Sequence, residues 1–272
     1  MNLHNTAPYN MEYIQKVFLG VQVYMQQNHV MEELIAFLDA EPPMFRSVAY
    51  ESASMEMALL ELRNGKALDN WTKFYRRSAK AHTFHMYIGL GWAFAKTEIS
   101  PKLYLEFLQP PMRLMVYDGI GYYCGLFKGR KTVKSQLIPH GIKGKELNGF
   151  DQGLGRRLWY ISKGEVNELV QLIQTFHKSR HNCMWLGVGI ACGYVGGCGK
   201  EHLEQLLICS AGFNKQLCGG IALAAISRKA SNSVSYDIDL ACNIICGQPL
   251  EGILSDSAAI EKKIASELEI TI

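Results

Sequence analysis

The stretch YDGIGYYCGLFKGR, from Tyr117 to Arg130, decides the fold class. It is apolar enough for a buried helix, yet it carries several glycines, each of which lowers helix stability by about 1 kcal/mol relative to alanine. Gly121 and Gly125 lie one helical turn apart and form a face of small residues, and Gly189 and Gly193 have the same spacing farther along the chain. A neighbouring helix can approach such a face closely, which offsets the cost, and the same face suits a narrow space for a ligand.

Aligning the sequence with itself at a fixed offset indicates two similar copies of one longer segment. Placing Gly89 on Gly187 is a shift of 98 positions (187 − 89), and it lays HMYIGLGWAFA over CMWLGVGIACG. Upstream, one inserted residue aligns YESASMEMALLELRNG with FDQGLGRRLWYISKG. No stretch alternates with the period of a strand. The sequence predicts an all-α protein, a tandem duplicated helical repeat with about five helices per copy, packed as an α/α bundle or short superhelix.

Five segments follow from this alignment. The chain is expected to have an N-terminal helical segment (1–49), a first helical repeat (50–131), a basic linker (132–149), a second helical repeat (150–230) and a C-terminal helical segment (231–272), for which a truncated third repeat is one interpretation. The linker and the residues before it are rich in Lys and Arg. A solvated linker is the simple interpretation, and docking of an acidic carrier protein is the alternative.

Composition narrows the function classes. The 272 residues are 48% hydrophobic and 19% charged, as expected for a globular chain, and a dispersed net charge of +3 argues against nucleic acid as a partner. The N-terminal MNLHNTAPYN has no signal-peptide pattern, so a cytoplasmic location is expected. The uncharged run 182–199 aligns with a first-copy segment carrying His82, His85 and Lys96, which predicts a buried helix and no membrane span.

The eight cysteines are interpreted as reduced, buried small side chains. Cys192 and Cys198 lie in a glycine-rich segment, and Cys242 and Cys246 are four residues apart, but neither pair has the second pair of ligands that a structural zinc site requires. The chain also lacks a phosphate-binding loop, a nucleophile elbow and a dinucleotide fingerprint. Neither a cofactor nor a metal is therefore predicted.

An aromatic residue followed by an acid recurs near the start of small-residue helices. The four occurrences are Tyr50-Glu51, Tyr117-Asp118, Phe150-Asp151 and Tyr236-Asp237. One interpretation places each acid in the first turn of its helix, where it favours the helix dipole by about 0.3 to 1 kcal/mol. The other interpretation gives the acids a part in a functional site.

These motifs together resemble a bacterial domain-of-unknown-function family encoded beside the iterative polyketide synthases of enediyne gene clusters. The resemblance covers residues 50–229, and FDQGLGRRLW with the following glycine-rich helix is its most specific part. It implies a role in converting a linear polyene towards an enediyne core, and it implies no set of catalytic residues. This chain departs from the family pattern in being short and cysteine-rich and in having Ser52 after the acid, where the family tends to have glycine.

Ten residues are candidates for a site. The catalytic candidates are Asp118, Asp151, Arg156 and His82, and the substrate-binding candidates are Glu51, Gln152, Tyr117, Tyr122, Gly121 and Gly189. Asp151 and Arg156 are close enough in sequence to form an ion pair or to hold a polar substrate end, and a structural salt bridge is the alternative. The tyrosines suit an apolar pocket for a polyene but also suit a core.

Histidines stand at helical spacings in both copies, as His82 with His85 and as His177 with His181. They fit acid–base chemistry or metal binding, but no carboxylate near them in sequence completes a ligand set.

Two functions stay open at this point. One is a biosynthetic enzyme acting on an apolar small-molecule or carrier-bound polyketide intermediate, and the other is a non-catalytic helical protein that binds or shields the intermediate or docks a carrier protein.

Overall fold

The computed structural model describes residues 11–28, 30–106, 108 and 112–259. The α-helices in these residues are α1 (Met11–Gln27), α2 (Met31–Asp39), α3 (Pro43–Arg63), α4 (Asp69–Ser78), α5 (Thr83–Thr97), α6 (Lys102–Leu105), α7 (Arg113–Phe127), α8 (Lys145–Ile161), α9 (Val166–Gln174), α10 (His181–Val195), α11 (Lys200–Cys209), α12 (Asn214–Ala230), α13 (Tyr236–Ala241) and α14 (Leu250–Ser255). Short 3₁₀ helices span Lys80–His82 and Lys178–Arg180, and π-helical turns span Arg130–Lys134 and Cys242–Cys246.

The predicted all-α class is confirmed, since the described part of the chain contains no β-strand. Helix α5 and helix α10 have bounds that differ by the predicted 98 positions, and so do the two 3₁₀ helices that precede them. Each predicted copy spans five of the described α-helices, α3 to α7 and α8 to α12. The order of elements is therefore the order that a duplication requires, while the duplication itself stays a prediction.

Six long helices form a central ring, in which α3, α5, α7, α8, α10 and α12 each pack against the next. The 3₁₀ helix Lys80–His82, which precedes α5, also contacts α12 and brings the two ends of the series together. Helix α1 packs on α3 at one end, and α13, α14 and the second π-helical turn pack on α12 at the other. One continuous apolar core runs from Val17 to Ile253.

Glycines set the close spacing of the ring helices. A Cβ atom on Gly121 of α7 would overlap the carbonyl oxygen of Phe150 in α8, and one on Gly189 of α10 would overlap that of Leu217 in α12. These glycines have helical φ values, so they are required for space and not for backbone freedom. The close backbone approach predicted from the small-residue faces is confirmed at both interfaces.

Two details of the sequence analysis need correction. Cys218 of α12 and Cys246 of the second π-helical turn are joined by a disulfide, so these two cysteines are not reduced. The predicted first-turn position holds for Asp237 in α13, but Glu51, Asp118 and Asp151 lie farther inside α3, α7 and α8. Their carboxylates therefore need partners other than the free amides of a first turn.

The uncharged run 182–199 forms most of α10, a helix with eleven buried residues. The predicted buried helix is therefore confirmed. None of the helices in the described residues has the length and apolar character needed to cross a bilayer. Residues 1–10 and 260–272 of the two predicted terminal segments lie outside the described residues.

Candidate functional site

The ring helices bring a group of ionisable side chains together in the middle of the molecule. We call Glu51, His85, Asp118, Gln152 and Arg156 the central cluster. They come from α3, α5, α7 and α8, and each lies on a ring helix at a buried or nearly buried position. Small residues beside them allow the helices to approach, which is why charged groups from four helices can meet in so little space.

Asp118 is the most completely enclosed acid of the cluster, with 0% exposure. Its Oδ2 accepts a hydrogen bond of 2.8 Å from Nε2 of Gln152, and its Oδ1 accepts one from Nη1 of Arg156. Burial raises the pKa of Asp118, and Arg156 and Gln152 oppose that rise. Burial alone would lower the pKa of Arg156, but Asp118 and Glu51 outweigh it and raise the pKa.

Glu51 and His85 form the second half of the cluster. Nε2 of His85 lies 3.9 Å from Oε2 of Glu51, and both side chains are less than one-tenth exposed. Burial raises the pKa of Glu51 to about 7, with Asp118 adding to the rise and Arg156 opposing it. Burial and the positive charge of Arg156 lower the pKa of His85 well below its ordinary value. A neutral imidazole therefore faces a carboxyl group that titrates near neutral pH.

Aromatic rings enclose the charges. The guanidinium of Arg156 lies 5.0 Å from the ring centroid of Tyr122, and that of Arg228 lies 4.1 Å from the ring centroid of Tyr194. The ring of His85 packs against Tyr194 at 4.6 Å between centroids. Buried guanidinium groups gain from such faces because the ring quadrupole attracts a desolvated cation.

A cavity of about 40 Å³ lies between the cluster and its apolar surroundings. It is lined by residues of α5, α7, α8, α10 and α12, namely Phe84, His85, Ile88, Met115, Asp118, Gln152, Arg156, Tyr160, Ile190, Ala191, Tyr194, Leu223, Ala224 and Ser227. The volume has room for about three water molecules. Nδ1 of His85 and Oε1 of Gln152 have no hydrogen-bond partner within the described residues. Each is a buried polar atom that lacks a partner in the described part of the chain, which costs free energy unless a water molecule or a reacting group reaches it.

The expected ion pair between Asp151 and Arg156 is wrong. Asp151 accepts two hydrogen bonds from Nε of Arg180, at 3.0 Å and 2.9 Å, and a third from Nη2 of the same guanidinium. Burial raises the pKa of Asp151 to about 6 against the opposing effect of Arg180. Asp151 does not line the central cavity. Arg156 is on the next turn of α8 and points to Asp118 instead.

The structure separates the predicted histidines as well. His82 is buried outside the cavity, where Nδ1 lies 2.8 Å from Oγ of Ser47 and the ring stacks on Tyr50, and burial lowers its pKa to about 4. His177 is exposed, and His181 bonds the carbonyl of Phe176 through Nε2. Among the described residues no three His, Cys, Asp or Glu side chains gather as a metal site would need.

The remaining candidates are two tyrosines of α7 and two glycines at helix–helix contacts. Tyr122 packs on Arg156 but does not line the central cavity, whereas Tyr117 lines another pocket on the far side of α7. Gly121 and Gly189 lie at helix–helix contacts and do not line the central cavity.

Three residues that line the cavity are not among the ten candidates for the site. His85 was considered with His82 for acid–base chemistry or metal binding but was not chosen, and Tyr160 and Tyr194 were not singled out at all. His85 and Ile88 are three residues apart and therefore lie on the same face of α5, the face that meets α7. This periodicity is the sequence signal that could have identified His85 as a cavity residue. For the tyrosines no local signal distinguished a cavity position from a core position.

The arrangement is suited to proton transfer. A neutral imidazole can accept a proton, a carboxyl group with a pKa near 7 can donate or accept one, and the Asp118–Arg156 pair can orient a polar group beside them. The surrounding apolar side chains exclude bulk water, which strengthens each of these interactions.

Comparisons with known proteins place the chain in a family. No curated protein and no solved structure gives a match. A family match extends over residues 2–268, which includes every helix of the ring and every residue of the central cluster. The chain belongs to the family described as "Protein of unknown function (DUF1702)".

Proposed function

We propose that the protein is a cytoplasmic enzyme that transfers protons within an apolar polyene or polyketide intermediate of an enediyne-like pathway. The pathway comes from the sequence resemblance, and the type of chemistry comes from the central cluster. The observation that carries the proposal is the buried pair formed by Glu51, a carboxyl group whose pKa is raised to about 7, and His85, an unprotonated imidazole that lies 3.9 Å from Glu51 and lines the central cavity.

The cluster assigns a role to each side chain in this proposal. Nδ1 of His85 accepts a proton from the substrate, because it is the basic atom without a partner among the described residues. Glu51 returns a proton from its protonated form, and Arg156, held by Asp118, binds an oxygen of the substrate. Positioned acid–base groups of this kind contribute about 10² to 10⁴ in rate.

The size of the cavity sets a condition on substrate binding. A volume of about 40 Å³ accommodates water or the reacting end of a chain, and it is far smaller than pockets that enclose whole ligands, which are about 300 to 1,000 Å³. The sequence, by contrast, predicted an apolar pocket for a polyene. In the proposed enzyme the substrate therefore displaces apolar side chains or parts two ring helices on entering.

A complementation experiment tests the proposal. The gene is deleted from its cluster and restored as wild type, Glu51→Gln, Asp118→Asn or the control Glu56→Gln, which lies on the same helix outside the cavity. We expect neither cluster variant to restore product formation, although each still folds and accumulates in the cell. The control variant should restore product formation. Full product formation by folded Glu51→Gln and Asp118→Asn proteins would contradict an acid–base role.

A second candidate function is docking of an acidic carrier protein. Its specific support is a group of solvent-exposed basic side chains at the end of the first predicted copy and in the linker, Arg130, Lys131, Lys134 and Lys143. Such a patch attracts an acidic partner through long-range electrostatics, and the attraction weakens with salt. Charge reversal at Lys134 and Lys143 distinguishes the candidates, because it should weaken carrier binding while leaving the central cluster unchanged.

A further inference from the structure

A larger pocket lies on the opposite side of α7 from the central cavity. It has a volume of about 480 Å³, within the range of small-molecule sites. We call it the lateral pocket. Its walls are the end of α5, the segment that leads into α6, the outer face of α7 and the stretch 137–142, with Tyr117, Ile120 and Cys124 of α7 at its base. The central-cluster residues are not part of its lining.

The lateral pocket is apolar where it meets solvent. Leu137 and Ile138, which belong to its lining, are 57% and 38% exposed. Phe94 and Ile99 line it as well. Exposed apolar side chains at the mouth of a concave site are typical of surfaces that bind apolar ligands.

Its charged residues favour an anion. The lining contains three lysines, Lys102, Lys128 and Lys131, and one acid, Glu98. Nζ of Lys128 is 2.7 Å from Glu98, and Nζ of Lys102 is 3.5 Å from Glu146, so these two lysines have carboxylate partners. Lys131 is exposed and has no ion pair within the described residues, although its charge contributes to lowering the pKa of Glu98. The pocket therefore offers one positive charge beside its apolar mouth.

A buried hydroxyl group supplies an independent observation. Tyr117 lines the pocket and is 2% exposed, yet its hydroxyl has no hydrogen-bond partner among the described residues. An unpaired buried hydroxyl group costs free energy unless a ligand or water satisfies it. A ligand that reaches this hydroxyl group with an oxygen atom would satisfy it, whereas a purely apolar chain would not.

We propose that the lateral pocket binds a single-chain amphiphile, with the anionic head at Lys131, the apolar chain between Leu137, Ile138 and α7, and an oxygen substituent of the chain at Tyr117. A carboxylate and a phosphate present the same chemistry to a lysine, so the class is defined by one negative charge on one chain. The inference does not depend on the proposed enzyme function, because the lateral pocket and the central cluster share no lining residue.

Calorimetric titration of the full chain tests the ligand class. The probes are decanoate, dodecanoate and tetradecanoate, followed by dodecyl phosphate and dodecanol, each below its critical micelle concentration. We expect each added CH₂ pair to tighten Kd until the pocket is full, by at most about fourfold per CH₂, and dodecanol to bind more weakly than either anion. The tighter of dodecanoate and dodecyl phosphate identifies the natural head group, and both results support the site.

Single substitutions test where the ligand binds in the lateral pocket. Lys131→Gln should weaken dodecanoate about tenfold and leave dodecanol unchanged, while Lys134→Gln, an exposed lysine on the same π-helical turn that does not line the pocket, should change neither. Tyr117→Phe should weaken 12-hydroxydodecanoate more than dodecanoate. All of these substitutions leave the apolar packing intact, so folded protein is available for each titration.

Three results would overturn the inference. They are absence of dodecanoate binding, equal binding of dodecanoate and dodecanol, and equal losses in Lys131→Gln and Lys134→Gln. Sedimentation with phosphatidylglycerol vesicles adds a separate check. Binding to vesicles without uptake of dodecanoate would show that the exposed apolar residues form a membrane-docking face and that the pocket is not a ligand site.

Discussion

Three acids that share one sequence signature have different environments in the folded chain. Asp118 is bound by Arg156 and Gln152, Asp151 is bound by Arg180, and Glu51 has only a neutral imidazole at 3.9 Å. A strong partner opposes the effect of burial on a carboxyl group, and Glu51 has no such partner in direct contact. Burial accordingly raises the pKa of Glu51 to about 7 and that of Asp151, which Arg180 opposes, to about 6.

Replacing Glu51 should change how stability depends on pH. Folded Glu51 keeps its proton up to about pH 7, whereas an unfolded glutamate loses it near about pH 4.3. Between these values the native state binds more protons than the unfolded state, so native stability falls as pH rises. Glu51→Gln removes this loss, and its unfolding free energy relative to wild type should rise by about 3 kcal/mol from pH 4 to pH 7.

Urea denaturation at pH 4, 5, 6 and 7 measures the effect. Glu56→Gln is the matched control, because it changes the same residue type on the same helix outside the central cluster. Taking the difference from wild type cancels the titration of groups that do not interact with Glu51. A difference that stays constant across this range would show that Glu51 is already ionised in the folded protein at pH 5.

At the scale of elements, the glycine positions control how the ring helices meet. The interface of α7 and α8 is held by backbone contacts in both directions, with Gly121 against Phe150 and Gly153 against Asp118. The second of these contacts uses the carbonyl of Asp118 itself. The spacing of these two helices therefore also fixes where the carboxylate of Asp118 lies relative to Gln152.

A methyl group at Gly121 should destabilise the protein by about 2 to 3 kcal/mol, because the obstructing atom is a backbone oxygen that cannot move aside. Gly20→Ala is the opposite case. Gly20 is an exposed position inside α1, and no atom lies within 4 Å of the place that an added methyl group would take, so alanine should stabilise by about 0.5 to 1 kcal/mol. Thermal melts of the two variants should move in opposite directions. Equal shifts would mean that helix propensity, and not packing, decides both.

The sequence predicted which helix faces make close contacts, but it did not predict which charged residues pair across the fold. The small-residue faces predicted the helix contacts at Gly121 and Gly189, since spacing along one helix determines its faces. The partner of Asp151 could not be deduced in this way, because Arg180 lies 29 residues away in another element. The pairing of Arg156 with Asp118 spans 38 residues and depends on how α7 and α8 align. Sequence patterns thus predicted the helices and singled out four residues that lie in the central cluster, but not which charges would meet.

At the scale of the whole molecule, the two predicted copies are not independent units. One apolar core includes residues of both, and the central cavity takes its lining from α5 and α7 of the first and from α8, α10 and α12 of the second. The contact of α12 with the 3₁₀ helix before α5 joins the ends of the series. Neither copy can therefore enclose the central cluster by itself.

This shared core predicts that the two copies unfold together. The four tryptophans report on both, since Trp71 and Trp92 are buried in the first and Trp159 and Trp185 in the second. One variant replaces the first pair by phenylalanine and another replaces the second pair. In each variant, tryptophan fluorescence and far-ultraviolet circular dichroism should give the same urea midpoint, because a two-state transition has one midpoint for every probe.

Midpoints that differ between the probes would indicate separate unfolding of the copies, as in linear repeat proteins, whose repeats contact only their neighbours. A linear array would also leave α3 and α12 at opposite ends with no contact through the first 3₁₀ helix. The contact of α12 with Lys80–His82 closes the ring, and we expect this closure to couple the unfolding of the two copies. An apolar-to-charged change there, Ala79→Asp at a fully buried position beside this contact, should lower the midpoint reported by both tryptophan pairs by the same amount, although the substitution lies in only one copy.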